Sequence, residues 1–261
     1  MKVHLVQFSP IWEDKEANFA RIQHLLECSS PEPHSLVVLP EAFATGFSLN
    51  LQVTCDGEPE QTHAFLSRLS STHKVWILAG LIAPDPDSAM GKNLAVLFNP
   101  EGERVGEYQK IHPFTPMGED KVHLVGQESQ IFSIGDFYLC PVLCYDLRFP
   151  ELFRASVKKG ANLFVVLASW PDSRMGHWHT LLQARAIENQ AYVIGVNRTG
   201  SDPNHKYIGG SKVIDPMGKI RAEALLEEEW IAFTLEHSLI EDWRSSFPAL
   251  LDIRSEEHTS E

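Results

Sequence analysis

Apolar residues along this chain occur in two kinds of stretch, and the two kinds alternate. Short, almost unbroken apolar runs predict buried strands; longer stretches with apolar positions every three or four residues predict amphipathic helices. In order, the pattern predicts a strand over 3–8, a helix over 14–28, a strand over 35–39, a helix over 61–73 and strands over 75–82, 93–98 and 103–109. A second series repeats the first: strand 137–143, helix 150–159, strand 162–167, helix 177–190 and strands 192–197, 210–214 and 219–224. The likeness reaches single residues, since Leu36-Val-Val-Leu-Pro-Glu41 corresponds to Phe164-Val-Val-Leu-Ala-Ser169. The turn Asn99-Pro100-Glu-Gly102 likewise corresponds to Asp215-Pro216-Met-Gly218, strings that preset a turn and its positive-φ corner. Two such halves imply two sheets, each with one face to be covered by helices. The economical solution is an α/β fold of four layers, an α-β-β-α sandwich with an internal pseudo-twofold duplication.

The segment 225–253 breaks the pattern. It is rich in Glu and Trp, ends in Phe247-Pro248-Ala-Leu-Leu251, and is expected to be an irregular tail lying on another surface, such as a second subunit. Helix 177–190 carries Leu181, Leu182, Ala184, Ile187 and Ala191 near helical spacing. Helix and tail together suit a homodimer interface. No linker separates independent units, so 1–253 is expected to be one domain. The last eight residues, Arg254 to Glu261, read as translated sequencing adapter and are expected to be foreign to the protein.

Composition narrows the partners. With 22 Lys and Arg against 35 Asp and Glu, the net charge of −13 argues against nucleic acid or an anionic membrane. An anionic small molecule would need a local cluster of positive side chains. No run of about 18 apolar residues is present to span a membrane. The N-terminus reads as a first strand and not as a signal peptide. Four cysteines, at 28, 55, 140 and 144, lack framework spacing, which points to reduced thiols and a cytoplasmic protein.

Three predicted strands end in ionisable groups. An apolar strand runs into Cys144, with Pro150 where a helix would begin; helix-end N–H groups at such an elbow would favour the thiolate nucleophile. Glu41 ends the apolar run Leu36–Leu39, and Lys110 follows a hairpin. Each has an ordinary explanation: a buried small hydrophobe, a helix N-cap or solvated loop acid, a solvated edge lysine. Their convergence at equivalent ends of a duplicated sheet, where α/β folds assemble sites, is harder to explain that way. Cys140, four residues before Cys144 on the same strand, either flanks the site or is core. His177-x-His179 lacks an acidic or thiol partner at metal-site spacing, so no metal is expected. Phosphate-loop, dinucleotide and Gly-x-Ser-x-Gly strings are missing, so no cofactor and no serine triad are expected.

Three strings carry a resemblance: Val38-Leu-Pro-Glu41-Ala-Phe, Tyr108-Gln-Lys110-Ile-His-Pro-Phe and Leu143-Cys144-Tyr-Asp-Leu-Arg148-Phe-Pro-Glu151. Through them the chain resembles the nitrilase, or carbon–nitrogen hydrolase, superfamily over nearly its whole length. Ala168-Ser-Trp170-Pro171-Asp-Ser-Arg174, Ala184-Arg-Ala-Ile-Glu188-Asn-Gln-Ala-Tyr192 and Gly195-Val-Asn-Arg198-Thr-Gly-Ser-Asp202 make it most similar to the omega-amidases. The resemblance implies Glu41 as general base, Lys110 as electrophilic stabiliser and Cys144 as nucleophile, with the Tyr145 backbone N–H in the oxyanion site. Glu119 matches a second family carboxylate that orients Lys110 and the amide; Asp120 is its rival. Implied substrates are small amides such as 2-oxoglutaramate or 2-oxosuccinamate, hydrolysed through a thioester. Arg148 and Arg174 are the candidates for binding the substrate carboxylate, with Trp170 shaping the pocket. Arg148 paired to Glu151 or Asp146 is the structural alternative. A deaminated-glutathione amidase, an aliphatic nitrilase and an inactive scaffold remain as other functions.

Overall fold

The computed structural model describes residues 1–55 and 60–254. Its first half runs β1 (Lys2–Gln7), α1 (Lys15–Ser29), β2 (Leu36–Val38), α2 (Leu51–Thr54), α3 (Gln61–His73), β3 (Trp76–Pro84), β4 (Gly91–Phe98) and β5 (Arg104–Gln109). The second runs β6 (Phe132–Ile134), β7 (Phe137–Leu143), α4 (Pro150–Lys158), β8 (Leu163–Ala168), α5 (Met175–Asn189) and β9 (Tyr192–Asn197). A hairpin of β10 (Thr199–Ser201) and β11 (Lys206–Ile208) follows, then β12 (Lys212–Ile214), β13 (Ile220–Glu223), β14 (Glu229–Thr234) and α6 (His237–Ser246).

The strands form two six-stranded sheets, ordered β14-β1-β2-β3-β4-β5 and β6-β7-β8-β9-β12-β13. Position by position the two match: an antiparallel edge, three parallel strands, then two antiparallel ones. The duplication is therefore real in topology. Side-chain alternation divides the first sheet between two cores. Val37, Ile77 and Ala79 face α1 and α3, where Phe19 stacks on Phe65 with ring centres 4.3 Å apart. Leu36, Val38, Leu78 and Leu97 face the other way and join Leu139 and Val142 of the second sheet. Helices α4 and α5 cover that sheet's outer face through Phe153, Val157, Trp178 and Leu182. The result is the four-layer sandwich.

Two expectations are corrected. Segment 225–253 is not an irregular tail: β14 pairs antiparallel with β1 from Lys2↔Thr234 to Gln7↔Glu229, and α6 buries Ile240. The Met1 ammonium donates to the Leu235 carbonyl at 2.9 Å, so the residue after β14 is tied to the start of β1. As an edge strand, β14 is half exposed, which hides its signature. In α5 the buried face is Met175, Trp178, Leu182, Arg185, Ala186 and Asn189, while Ile187 is 53% exposed. Arg185 is buried because its guanidinium donates to the Leu147 carbonyl at 2.9 and 3.1 Å. The expectation of a foreign terminus falls mainly on 255–261, outside the described residues. Among those residues no helix is long and apolar enough to cross a membrane.

Candidate active site

The carboxyl ends of β2, β5, β7, β8 and β9 and the start of β4 meet at one end of the sandwich. There Glu41 and Glu119 have no exposed surface and Lys110 has 2%, so three charges are buried together. Such burial requires pairing, and each of the three charged groups has a partner. The Lys110 ammonium donates to Glu41 Oε1 at 2.9 Å and to Glu119 Oε2 and Oε1 at 2.8 and 3.1 Å. Asn93 Nδ2 bridges the same carboxylates at 2.9 and 2.8 Å. Glu41 Oε2 accepts from the Ser169 backbone N–H at 3.0 Å. Glu41 and Ser169, equivalent positions of the duplicated halves, thus meet across the pseudo-twofold axis.

Electrostatics follow from this packing. Burial disfavours the Lys110 ammonium, but Glu119 and Glu41 outweigh it and hold the group charged well above its ordinary range. Burial also works against the Glu119 carboxylate, yet Lys110, His123 and Asn93 bring it down to about 2. Asp120, the rival carboxylate, is exposed.

Cys144 sits where β7 ends, at φ +43°, and opens a 3-10 helix over Cys144–Arg148 before Pro150 starts α4. Its sulfur faces Glu41, Lys110 and the Ser169 N–H. The elbow is as expected, but its effect is not: burial, reinforced by the Glu41 carboxylate, pushes the thiol well above its ordinary range despite Lys110. That direction favours the thiol over the thiolate and leaves work for a base. Cys140 does not flank the site. Its sulfur lies 3.4 Å from Ser156 Oγ of α4, and burial raises it to about 12.

Glu41, Lys110, Cys144 and Ser169 line a cavity with Phe47, Phe114, Tyr145, Arg148, Trp170, Arg174 and Tyr207. The Arg148 guanidinium lies 4.7 Å from the Trp170 ring centre and 5.7 Å from Tyr145. Arg174 lies 5.3 Å from Phe114, and its carbonyl accepts from Trp170 Nε1 at 2.9 Å. Neither arginine forms an ion pair among the described residues, which removes the Arg148 pairing to Glu151 or Asp146. Burial and the neighbouring Arg174 charge draw Arg148 below its ordinary value. Arg148 Nη1 instead lies 3.2 Å from His177 Nδ1, and His179 lies against Lys212. No group of three or more metal-ligating side chains occurs among the described residues.

A buried carboxylate–lysine–carboxylate cluster facing a cysteine elbow coincides with the three sequence strings, and the carbon–nitrogen hydrolase family model matches residues 2–245. The chain belongs to the carbon–nitrogen hydrolase family. It is 33% identical to the 2-oxoglutaramate amidase of Bacillus subtilis (strain 168), over 97% of this chain and 98% of that one. It is 37% identical to the omega-amidase YafV of Yersinia enterocolitica, over 97% and 96%. Among solved structures, XC1258 from Xanthomonas campestris, a CN-hydrolase superfamily protein with an arsenic adduct in its active site, superposes with a TM-score of 0.92. That pair is 31% identical, with 98% and 97% covered. The chain is accordingly a hydrolase acting on carbon–nitrogen bonds.

Sequence reasoning missed several residues of this carbon–nitrogen hydrolase site. Asn93 had a signal, a lone amide opening the apolar run Leu94–Phe98. Ser169 was visible only as the counterpart of Glu41. Phe47, Phe114 and Tyr207 come from loops and a short hairpin that no periodicity marks.

Proposed function

We propose that this hydrolase removes the terminal amide of short 2-oxo dicarboxylic monoamides, 2-oxoglutaramate and 2-oxosuccinamate, giving the 2-oxo acid and ammonia. The observation that carries this reading is a pair of arginines, without carboxylate partners among the described residues, set against Trp170, Tyr145 and Phe114 in the cavity that holds Cys144. In an acidic chain, Arg148 and Arg174 concentrate positive charge where a substrate carboxylate would lie, with Trp170 as a wall. The names of the relatives support the same substrate class.

In the proposed mechanism Glu41 accepts the Cys144 proton as sulfur attacks the amide carbon, and the carbonyl π electrons move onto oxygen. Lys110 and the Tyr145 backbone N–H stabilise the oxyanion; the first N–H groups of a helix have no intrahelical partner. Collapse breaks the C–N bond, and the Glu41 proton leaves with ammonia. Glu41 then takes a proton from water, whose oxygen attacks the thioester carbon. The second collapse expels Cys144 sulfur, which recovers the proton, and releases the acid. Glu119 orients Lys110 throughout. No step requires a metal or cofactor. The proposal also places the chain in the cytoplasm and in a homodimer.

The test is ammonia release from 2-oxoglutaramate by the purified protein beside Cys144→Ala. Release abolished by the substitution is expected, with uncharged amides of the same length turned over far more slowly. Equal turnover of uncharged amides or nitriles would overturn the substrate class and leave the hydrolase.

A further inference from the structure

Cys144 holds a left-handed backbone conformation that residues with side chains adopt rarely, at about 1–3 kcal/mol, and only where surrounding structure imposes it. The residue positioned to impose it is Asp146, fully buried two residues on. Its Oδ1 accepts from the His112 backbone N–H at 2.8 Å and lies 2.8 Å from His112 Nδ1. Its Oδ2 accepts from the Tyr108 hydroxyl at 2.8 Å and the Leu143 N–H at 3.3 Å. Tyr108 and His112 stand two residues either side of Lys110. Leu143 and Asp146 stand either side of Cys144. One carboxylate therefore bolts the lysine loop to the nucleophile turn. The His112 ring stacks on Phe149, at the far end of that turn, with centres 3.7 Å apart.

We propose that Asp146 is a positioning residue that fixes Lys110 relative to Cys144. It touches no reacting atom, and the proposal rests on the roles given above to those two residues. A carboxylate suits the task because it presents acceptors only, and every group facing it brings a proton: two backbone N–H groups, a hydroxyl and an imidazole. An amide in its place would turn an NH2 group toward at least one donor.

The test compares Asp146→Asn, Tyr108→Phe and the double variant by kcat per Cys144 thiol, counted by iodoacetamide labelling and mass spectrometry. Asp146→Asn is expected to lower kcat per thiol by about 10²-fold, as a displacement near 1 Å does, with KM little changed. Tyr108→Phe is expected to lower it less. Because both act through one carboxylate, the double variant should fall no further than Asp146→Asn alone. Unchanged kcat per thiol with only a lower Tm or fewer active molecules would overturn the proposal, as would effects that multiply. If Asp146→Asn does not fold, Tyr108→Phe decides by the same ratio.

Should the unaltered protein leave 2-oxoglutaramate untouched, the substrate reading has failed on its own. A crystal structure of Asp146→Asn then carries the test. Departure of Cys144 from positive φ, or movement of Lys110 Nζ relative to its sulfur, supports the brace, and an unmoved pair overturns it.

Discussion

At the scale of single residues, the site is a problem of keeping three charges away from bulk solvent. Removing one partner of a buried ion pair costs about 3–5 kcal/mol, because the remaining charge stays desolvated. Lys110 has two carboxylates, so Glu119→Gln leaves it one and is expected to lose stability near the low end of that range. The same substitution should change acid unfolding. The Glu119 carboxyl lies at about 2 in the fold and near its ordinary value of 4.5 when unfolded. Its contribution is therefore fully present above 4.5 and is lost as pH falls from there toward 2. Tm followed from pH 6 to 2 should fall less steeply in Glu119→Gln; parallel curves would contradict the pairing. One glycine bears directly on the site. A Cβ on Gly80 would stand 2.5 Å from Glu41 Cα and 2.9 Å from the Pro40 carbonyl. Gly80→Ala is expected to displace Glu41 and reduce kcat by about 10²-fold. A kcat within a factor of two would show that β2 yields without moving the carboxylate.

At the scale of elements, the strongly periodic pieces were legible and the edges were not. Helix α3 occupies the predicted 61–73, and β7 and β9 occupy the predicted 137–143 and 192–197. These segments are buried on both faces or along a full stripe, so burial wrote itself into their composition. By contrast β14 alternates weakly along Glu229–Thr234, because one edge meets β1 and the other meets solvent. Its place is set by a partner more than 220 residues away in the chain. Integral packing of this region makes a clear forecast: Ile240→Ala in α6 should cost about 2–5 kcal/mol, as large-to-small changes in a core do. A change within about 0.5 kcal/mol, the usual effect at a surface, would restore the loose-tail view. Denaturant unfolding gives the number directly.

For the whole molecule, two exposed apolar residues lie close to each other. Ile187 of α5 is uncovered, and Gln190 at the end of that helix donates to the Phe247 carbonyl at 2.7 Å, bringing exposed Phe247 close to it. A homodimer through this surface should give twice the chain mass by light scattering at micromolar concentration; a single-chain mass would exclude it. The sequence by itself determined the two repeated halves and the sandwich, and it singled out Glu41, Lys110 and Cys144, which the fold brings together, because core burial and strand-end chemistry leave local, periodic traces. Only the tertiary structure decided that Glu119 and not Asp120 turns inward, that Asn93 links the two carboxylates, and that Arg148 and Arg174 stay without acidic partners. It also decided which way the Cys144 thiol is shifted. A helix end acts through neighbours in sequence, but desolvation and the Glu41 charge act through space, and for Cys144 they prevail.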